Sequence, residues 1–178
     1  FDLPAEELAE DASSCGVIIR RNRIWGNAEN GVDLKGTCHI LVEENLVYAN
    51  VGDNDGTTKI AESCSDTPND RCGGTAIMLG SGTSARDNII RRNVVYDNSG
   101  GILTIDSWRV YNNTIVANNR DYTGPSSDYE RMDKPQFAGL YGRGSVKNNL
   151  VGNHSHAEAA LASDADVIDG NLYFNTLA

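Results

Sequence analysis

Pairs of asparagines five residues apart recur along the chain, and their spacing constrains the fold more than any other feature of the sequence. The two members of a pair enclose segments such as "RIWG", "LVYA" and "VVYD". The first asparagines of successive units are 23, 48, 20, 36 and 22 residues apart. A repeat with this basic period indicates a β-solenoid, in which each turn holds three short strands and successive turns stack as parallel strands. The pairs are Asn22/Asn27, Asn45/Asn50, Asn93/Asn98 and Asn113/Asn118, with shortened versions at Asn149/Asn153 and Asn171/Asn175.

Two charged residues precede the first asparagine of three successive units, and they test the proposed stacking independently. Opposite charges attract across neighbouring parallel strands, whereas like charges repel. The asparagine alignment alone produces two columns of alternating sign, Arg20–Glu43–Arg91 and Arg21–Glu44–Arg92. The asparagines themselves can hydrogen-bond along their column, so their spacing predicts where the chain bends. The interleaved glutamates and a net charge of −10 oppose binding to nucleic acid.

The repeat and its interruptions predict the domain organisation. We expect an all-β domain over residues 15–178, a single-stranded parallel solenoid of about six turns. Residues 1–14 carry helix formers after a proline and are expected to form a short helix that caps the first turn. Polar insertions at about 51–73 and 120–135 are expected to emerge on one edge of the solenoid. No apolar run is long enough to span a membrane.

The four cysteines suggest disulfides. Cys15 and Cys38 each precede the first asparagine of their unit by seven residues, which stacks them in adjacent turns at a separation that a disulfide spans. Cys64 and Cys72 lie in the first insertion and would close a short loop. This arrangement favours two disulfides and an oxidising compartment, and therefore a secreted or periplasmic protein, and four reduced, partly buried thiols are the alternative. The chain starts at Phe1 without a signal sequence, which indicates a processed or excised segment.

The strand flanked by the insertions is the candidate binding groove. It reads "GVDLKG", "AIMLGSG" and "ILTID" in successive units. If Val32 and Leu34 point inward, alternate residues form two outward rows, Asp33–Met78–Thr104 and Lys35–Gly80–Asp106. We expect Asp33, Met78, Thr104 and Asp106 to contact substrate; a merely solvated polar face is the alternative.

An aromatic column on a different face is a second feature of the surface. Trp25, Tyr48 and Tyr96 occupy the same position in successive units and point outward in the predicted fold. Such columns can bind sugar rings, although they commonly only stabilise the sheet.

With the asparagine pairs and "GVDL" established, the chain resembles the right-handed parallel β-helix proteins over residues 15–175. That group includes pectate lyases and other enzymes that act on polysaccharides. The segment "ENGVDL" is similar to the calcium-binding "DDGVDL" segment of family 9 pectate lyases. The resemblance implies calcium ligands at Glu29, Asn30 and Asp33, where calcium would bind a uronate carboxylate and acidify the neighbouring C–H.

The same resemblance places Met78 where the family has its catalytic lysine. A thioether cannot accept a proton, so Lys35 and Lys59 are the nearby substitutes, and in an active enzyme a basic residue such as Lys35 or Arg86 would support proton transfer. We therefore expect a secreted protein that handles a polysaccharide, and a lyase on acidic polysaccharide if it is active. The alternative is a non-catalytic carbohydrate-binding or structural module, with a homo-oligomer formed through the C-terminal end of the solenoid. Met78 favours binding alone, whereas "ENGVDL" and the paired insertions favour a retained catalytic site.

Overall fold

The computed structural model describes residues 16–27, 30–34, 38–50, 74–79, 87–98, 100–118, 138–152, 157–161 and 167–174. This described part of the chain is all β and contains no helix. The predicted capping helix over 1–14 and both predicted insertions lie outside it. Within the same residues no helix is long and apolar enough to cross a membrane.

The described strands are short, and every pairing between them is parallel. Most have three residues, and a residue with positive φ directly follows seven of these short strands in the described part of the chain. In chain order the strands are β1 Ile18–Arg20, β2 Arg23–Trp25, β3 Val32–Leu34, β4 Leu41–Glu43, β5 Leu46–Tyr48, β6 Thr75–Leu79, β7 Asn88–Arg91, β8 Val94–Tyr96, β9 Gly100–Tyr111, β10 Thr114–Val116, β11 Ala138–Lys147, β12 Leu150–Gly152, β13 Ala157–Leu161, β14 Val167–Asp169 and β15 Leu172–Phe174.

These strands form two parallel sheets. The six-stranded sheet has the order β2-β5-β8-β10-β12-β15. The nine-stranded sheet has two sides, which the long strands β9 and β11 join. The first half of β9 pairs with β6 and its second half with β7, and β11 divides in the same way between β13 and β14. The chain therefore passes through three strand positions in each of the first five repeats, an arrangement compatible with a parallel β-helix.

The core is a stack of branched aliphatic side chains from the inward position of each strand. In the six-stranded sheet the middle residue of each three-residue strand points inward, and Val47, Val95, Ile115 and Val151 are fully buried. Val42, Ile90, Val110 and Val146 occupy the matching inward row of the nine-stranded sheet. β-branched residues suit this position because they pack well on a pleated surface.

The first asparagine of each unit forms a continuous ladder, as the spacing predicts. The Nδ2 group of each asparagine donates to the Oδ1 atom of the next at 2.9–3.1 Å, through Asn22, Asn45, Asn93, Asn113, Asn149 and Asn171. A second ladder runs through Asn27, Asn50, Asn98 and Asn118, with Nδ2–Oδ1 distances of 2.8 Å. Most of these asparagines are buried, so the ladders satisfy polar groups that water cannot reach.

The residue before each asparagine of the first ladder forms the bend. It has a φ between 53° and 64° in all six units, at Arg21, Glu44, Arg92, Asn112, Asn148 and Gly170. This left-handed conformation costs roughly 1–2 kcal/mol for a residue with a Cβ atom. The ladder hydrogen bonds on the adjacent residue hold the bend in place. The prediction that the asparagine spacing marks bends is confirmed.

The alternating charge columns are also confirmed. Arg20 pairs in register with Glu43, and Glu43 with Arg91. In the neighbouring column, Nε of Arg21 donates to Oε2 of Glu44 at 2.8 Å, and Nη1 of Arg92 lies 3.6 Å from Oε1 of the same glutamate. The register derived from the asparagines is therefore correct at the bend between the two sheets.

Candidate functional site

The predicted groove lies on the side of the nine-stranded sheet formed by β3, β6 and the first half of β9. Asp33 pairs in register with Met78, as predicted, and Met78 pairs with Leu103. We call Asp33, Met78 and Leu103 the groove row.

The predicted position of Thr104 in this row is wrong by one residue. Thr104 pairs with Leu79, in the inward row, and is fully buried. A slip of one residue moves every side chain of a strand to the other face. The segment "ILTI" permits both alternations, because all four residues suit a strand, and the observed register points Ile102 and Thr104 inward.

The groove row is not the open, solvated face that the alternation suggested. Asp33 is 8% exposed and Leu103 is 3% exposed, whereas Met78 is partly buried. Asp106 lies on β9, but its side chain is outside the described part. Lys35, Arg86 and Glu29 also lie outside the described residues, so their predicted catalytic and metal-binding roles stay predictions.

Asn30 holds Asp33 and Met78 together at the start of β3. The backbone N–H of Thr75 donates to Oδ1 of Asn30 at 3.2 Å. A backbone N–H can only donate, so this contact fixes the orientation of the Asn30 amide. Its Nδ2 group therefore faces the other way, and it donates to Oδ2 of Asp33 at 3.0 Å and to Sδ of Met78 at 3.4 Å.

This geometry bears on the predicted calcium ligands. Asn30 presents its nitrogen, not its oxygen, to Asp33. Calcium takes oxygen ligands, so in this arrangement Asn30 does not present one beside Asp33, and Glu29 lies outside the described residues. Among the described residues no group of three His, Cys, Asp or Glu side chains could hold a metal ion.

Cys38 is the one cysteine in the described part of the chain. It is buried and disulfide-bonded. The backbone N–H of Gly16 donates to the carbonyl of Cys38 at 3.1 Å, so the residue that follows Cys15 lies against Cys38. Cys15, Cys64 and Cys72 lie outside the described residues, and the predicted pairings stay predictions.

The aromatic column lies on the outer face of the six-stranded sheet, as predicted. Trp25 pairs in register with Tyr48, and Tyr48 with Tyr96. The ring centroids are 6.0 Å and 5.2 Å apart, and the interplanar angles are 8° and 5°. Trp25 is 57% exposed, and the two tyrosines are half-buried. Both ring faces of Tyr48 are therefore occupied by neighbouring rings.

The rest of this outer face is mostly apolar. The row that accompanies the aromatic column contains Arg23 at its first position, followed by Leu46, Val94, Thr114, Leu150 and Leu172. Val94 and Leu172 are exposed. The aromatic column itself continues through Val116 and Gly152 to Phe174. A Cβ atom on Gly152 would lie 2.6 Å from the Phe174 ring, so this ring packs over the glycine.

Arg23 is a polar residue of this face that sequence reasoning missed. It lies two residues before Trp25 on β2, with Ile24 pointing inward between them, so both side chains are on the outer face. Arg23 is exposed and forms no ion pair with a described residue. The two-residue spacing in "RIW" was the signal that could have identified it.

The charged residues of the neighbouring face are paired with one another. Nη2 of Arg91 lies 2.7 Å from Oε2 of Glu43, and Nη1 donates to the Tyr111 hydroxyl at 3.1 Å. The hydrogen bond to Tyr111, and then the one to Glu43, raise the pKa of Arg91. The hydrogen bond from Arg21 lowers the pKa of Glu44. These arginines have protein partners, whereas Arg23 forms no ion pair with a residue that the structure describes.

Comparison of the chain with protein-family models, curated proteins and solved structures finds no match. The resemblance to family 9 pectate lyases therefore depends on the short motif alone.

Proposed function

We propose that this chain is a secreted right-handed parallel β-helix protein of about six turns that binds an acidic polysaccharide without strong lyase activity. The observation that carries the proposal is the aromatic column on the outer face of the six-stranded sheet, whose first ring, Trp25, is exposed. Aromatic side chains offer both apolar contact to sugar C–H groups and, in tyrosine, a hydroxyl for hydrogen bonding.

The groove row supports binding in preference to catalysis. Met78 takes the position that the resemblance assigns to the lysine base, and its sulfur contacts the Asn30 amide. Asp33, the titratable member of the row, is buried beside it. Loss of a general base typically lowers a rate by about 10²- to 10⁴-fold. A lyase would depend on Lys35 or Arg86 as the replacement base.

Secretion is supported by the chemistry of Cys38. Disulfides persist in oxidising compartments, and Cys38 is disulfide-bonded. Assembly through the C-terminal end of the solenoid stays a prediction, which the molar mass in solution would test.

The proposal is tested by two measurements on the same samples. Binding to oligomers of pectate and alginate is measured by calorimetry, and the absorbance of unsaturated uronate reports cleavage, each with and without calcium. We expect binding and little or no new absorbance. Absence of binding to every polymer would refute the proposal, and rapid calcium-dependent cleavage would establish the lyase alternative and make Lys35 the first residue to substitute.

Calcium held by Asn30 and Asp33 would require the Asn30 amide to turn its oxygen toward the carboxylate, so calcium is a separate part of the proposal. Ligand binding to the folded state alone stabilises it by about 2.7 kcal/mol at 100 times the Kd, which corresponds to a rise in Tm of about 5–10 °C for a chain of this size. We expect millimolar calcium to raise the Tm of the wild type but not of Asp33→Ala. Asp87→Ala, which removes an exposed carboxylate elsewhere, should retain the full shift. A wild-type Tm that calcium does not change would remove calcium from the proposal.

A further inference from the structure

We infer that Trp25 and Arg23 form a subsite for a single uronate residue, in which the open face of the indole stacks on the sugar ring and the guanidinium binds its carboxylate. The inference rests on the proposed function and names the part of the polymer that this surface recognises.

The stacking of the aromatic column leaves one open ring face. Tyr48 has a ring on each side, Trp25 on one and Tyr96 on the other. The next residue in register beyond Tyr96 is Val116. Trp25 stacks on Tyr48 with one face and, within the described part of the chain, has no ring against the other. Its 57% exposure shows that this large apolar surface is accessible to a ligand.

The distance between Arg23 and Trp25 suits a sugar that stacks on the indole and carries a carboxylate. Residues two apart on one face of a strand have Cα atoms about 6.5–7 Å apart, a distance that a sugar ring and its carboxylate span. An arginine binds a carboxylate through two parallel N–H groups, which adds orientation as well as affinity. The neighbour of Arg23 in its row is Leu46, so within the described residues that row places no competing carboxylate beside the guanidinium.

The tyrosines below Trp25 prepare the indole for binding. A side chain held by stacking on Tyr48 loses less conformational freedom when a ligand arrives, and preorganisation of this kind increases affinity. The net charge of −10 repels acidic polymers at long range. Recognition therefore depends on the local guanidinium, and neutral sugars should bind without it.

Tryptophan fluorescence tests the subsite directly, because the chain has two tryptophans in opposite environments. Trp25 is 57% exposed and Trp108 is 1% exposed. Titration with trigalacturonate should change the emission of the wild type and of Trp108→Phe equally, and should leave the emission of Trp25→Tyr unchanged. Calorimetry on the same samples measures total binding, and Trp25→Tyr keeps an aromatic ring on the stack so that the fold is retained.

Arg23→Gln separates the charge from the stacking. A hydrogen bond to a charged partner contributes enough that its loss should weaken trigalacturonate binding by about 10- to 100-fold. Binding of the uncharged methyl ester should change less than about twofold. Arg20→Gln removes an exposed arginine from the same repeat but from the other sheet, and it should leave both affinities unchanged.

Each outcome supports or overturns the inference. Calorimetric binding without a change in Trp25 emission would overturn the subsite and leave the proposed function standing. If no oligomer binds, both the subsite and the proposed function are refuted. Equal losses for the acid and the ester in Arg23→Gln would overturn the role of the guanidinium. The inference is supported if the loss is confined to the acid and the emission change is confined to Trp25.

Discussion

Replacing Asn93 by alanine should destabilise the protein far more than the same change at Asn22, at the exposed end of the same ladder. Asn93 is 1% exposed. Its Oδ1 accepts from the backbone N–H and from Nδ2 of Asn45, both at 3.0 Å. Its Nδ2 donates to Oδ1 of Asn113 at 3.0 Å and to the carbonyl of Val42 at 2.9 Å. The substitution removes all four hydrogen bonds at once.

The expected magnitude follows from the groups that lose their partner. Nδ2 of Asn45 still donates to the carbonyl of Ile19, and Oδ1 of Asn113 still accepts from the backbone N–H of residue 93. The backbone N–H of Asn45 keeps no such alternative among these contacts. A buried donor left without a partner costs about 1–3 kcal/mol, and loss of the remaining bonds adds to this. We therefore expect Asn93→Ala to lower the free energy of unfolding by about 2–4 kcal/mol.

Denaturant unfolding of the two variants provides the measurement. Asn22 is exposed and donates to Oδ1 of Asn45 and to the carbonyl of Arg20. Water can replace the hydrogen bonds of this exposed side chain, so Asn22→Ala should lower the free energy of unfolding by less than about 1 kcal/mol. If the two variants unfold within about 0.5 kcal/mol of each other, buried ladder hydrogen bonds do not stabilise this fold as argued.

Three further predictions concern the charge column, the bends and the cysteines. Glu43→Arg should cost about 2–4 kcal/mol, because Glu43 is buried beside Arg91. Glu44→Arg should cost much less, because its ion pairs are more exposed, and equal losses in thermal melts would contradict this register. Ala117 has a φ of 50°, so Ala117→Gly should raise the free energy of unfolding by about 0.5–1 kcal/mol. Ala76→Gly inside β6 should lower the free energy of unfolding by about the same amount. A loss of stability at both positions would contradict the argument from the bend. Intact mass after alkylation under native conditions should show no modified thiol, consistent with the disulfide at Cys38, and incorporation of four labels would disprove the two predicted disulfides.

The stacking of the repeat could be predicted because two independent signals agree. The asparagine spacing aligns the units, and the opposite charges of Arg20 and Glu43 fall in register without having been used to align them. The asparagines recur in every unit and the charge pairs in three of them, and an error of one residue would have broken the asparagine column and removed one of the two charge columns. The outward column that begins at Trp25 follows from the same alignment.

The groove could be predicted less accurately than the stacking, because its strand lies far from the asparagines and the charge pairs. Between Asn98 and Thr104 the sequence contains glycines and strand formers that fit two inward–outward alternations. The alternation used for the prediction was the incorrect one, which placed Thr104 on the outer face. Alternation also predicts the direction of a side chain and not its exposure. Asp33 points away from the inward row and is nevertheless buried. Arg86 lies where the repeat is interrupted, so stacking assigns it no neighbours, and Lys35 lies outside the described residues.

The first asparagine ladder has a chemical direction. Each side chain in it accepts from the backbone N–H of the preceding repeat and donates to the carboxamide of the following one. Loss of one side chain therefore removes the protection of a single amide, one repeat closer to the N-terminus. The amide of the following repeat remains bonded, as that of Asn113 is to Asn149. Amide hydrogen exchange on a series of single substitutions would consequently report which repeat is stacked on which, and so establish the order of the repeats in solution.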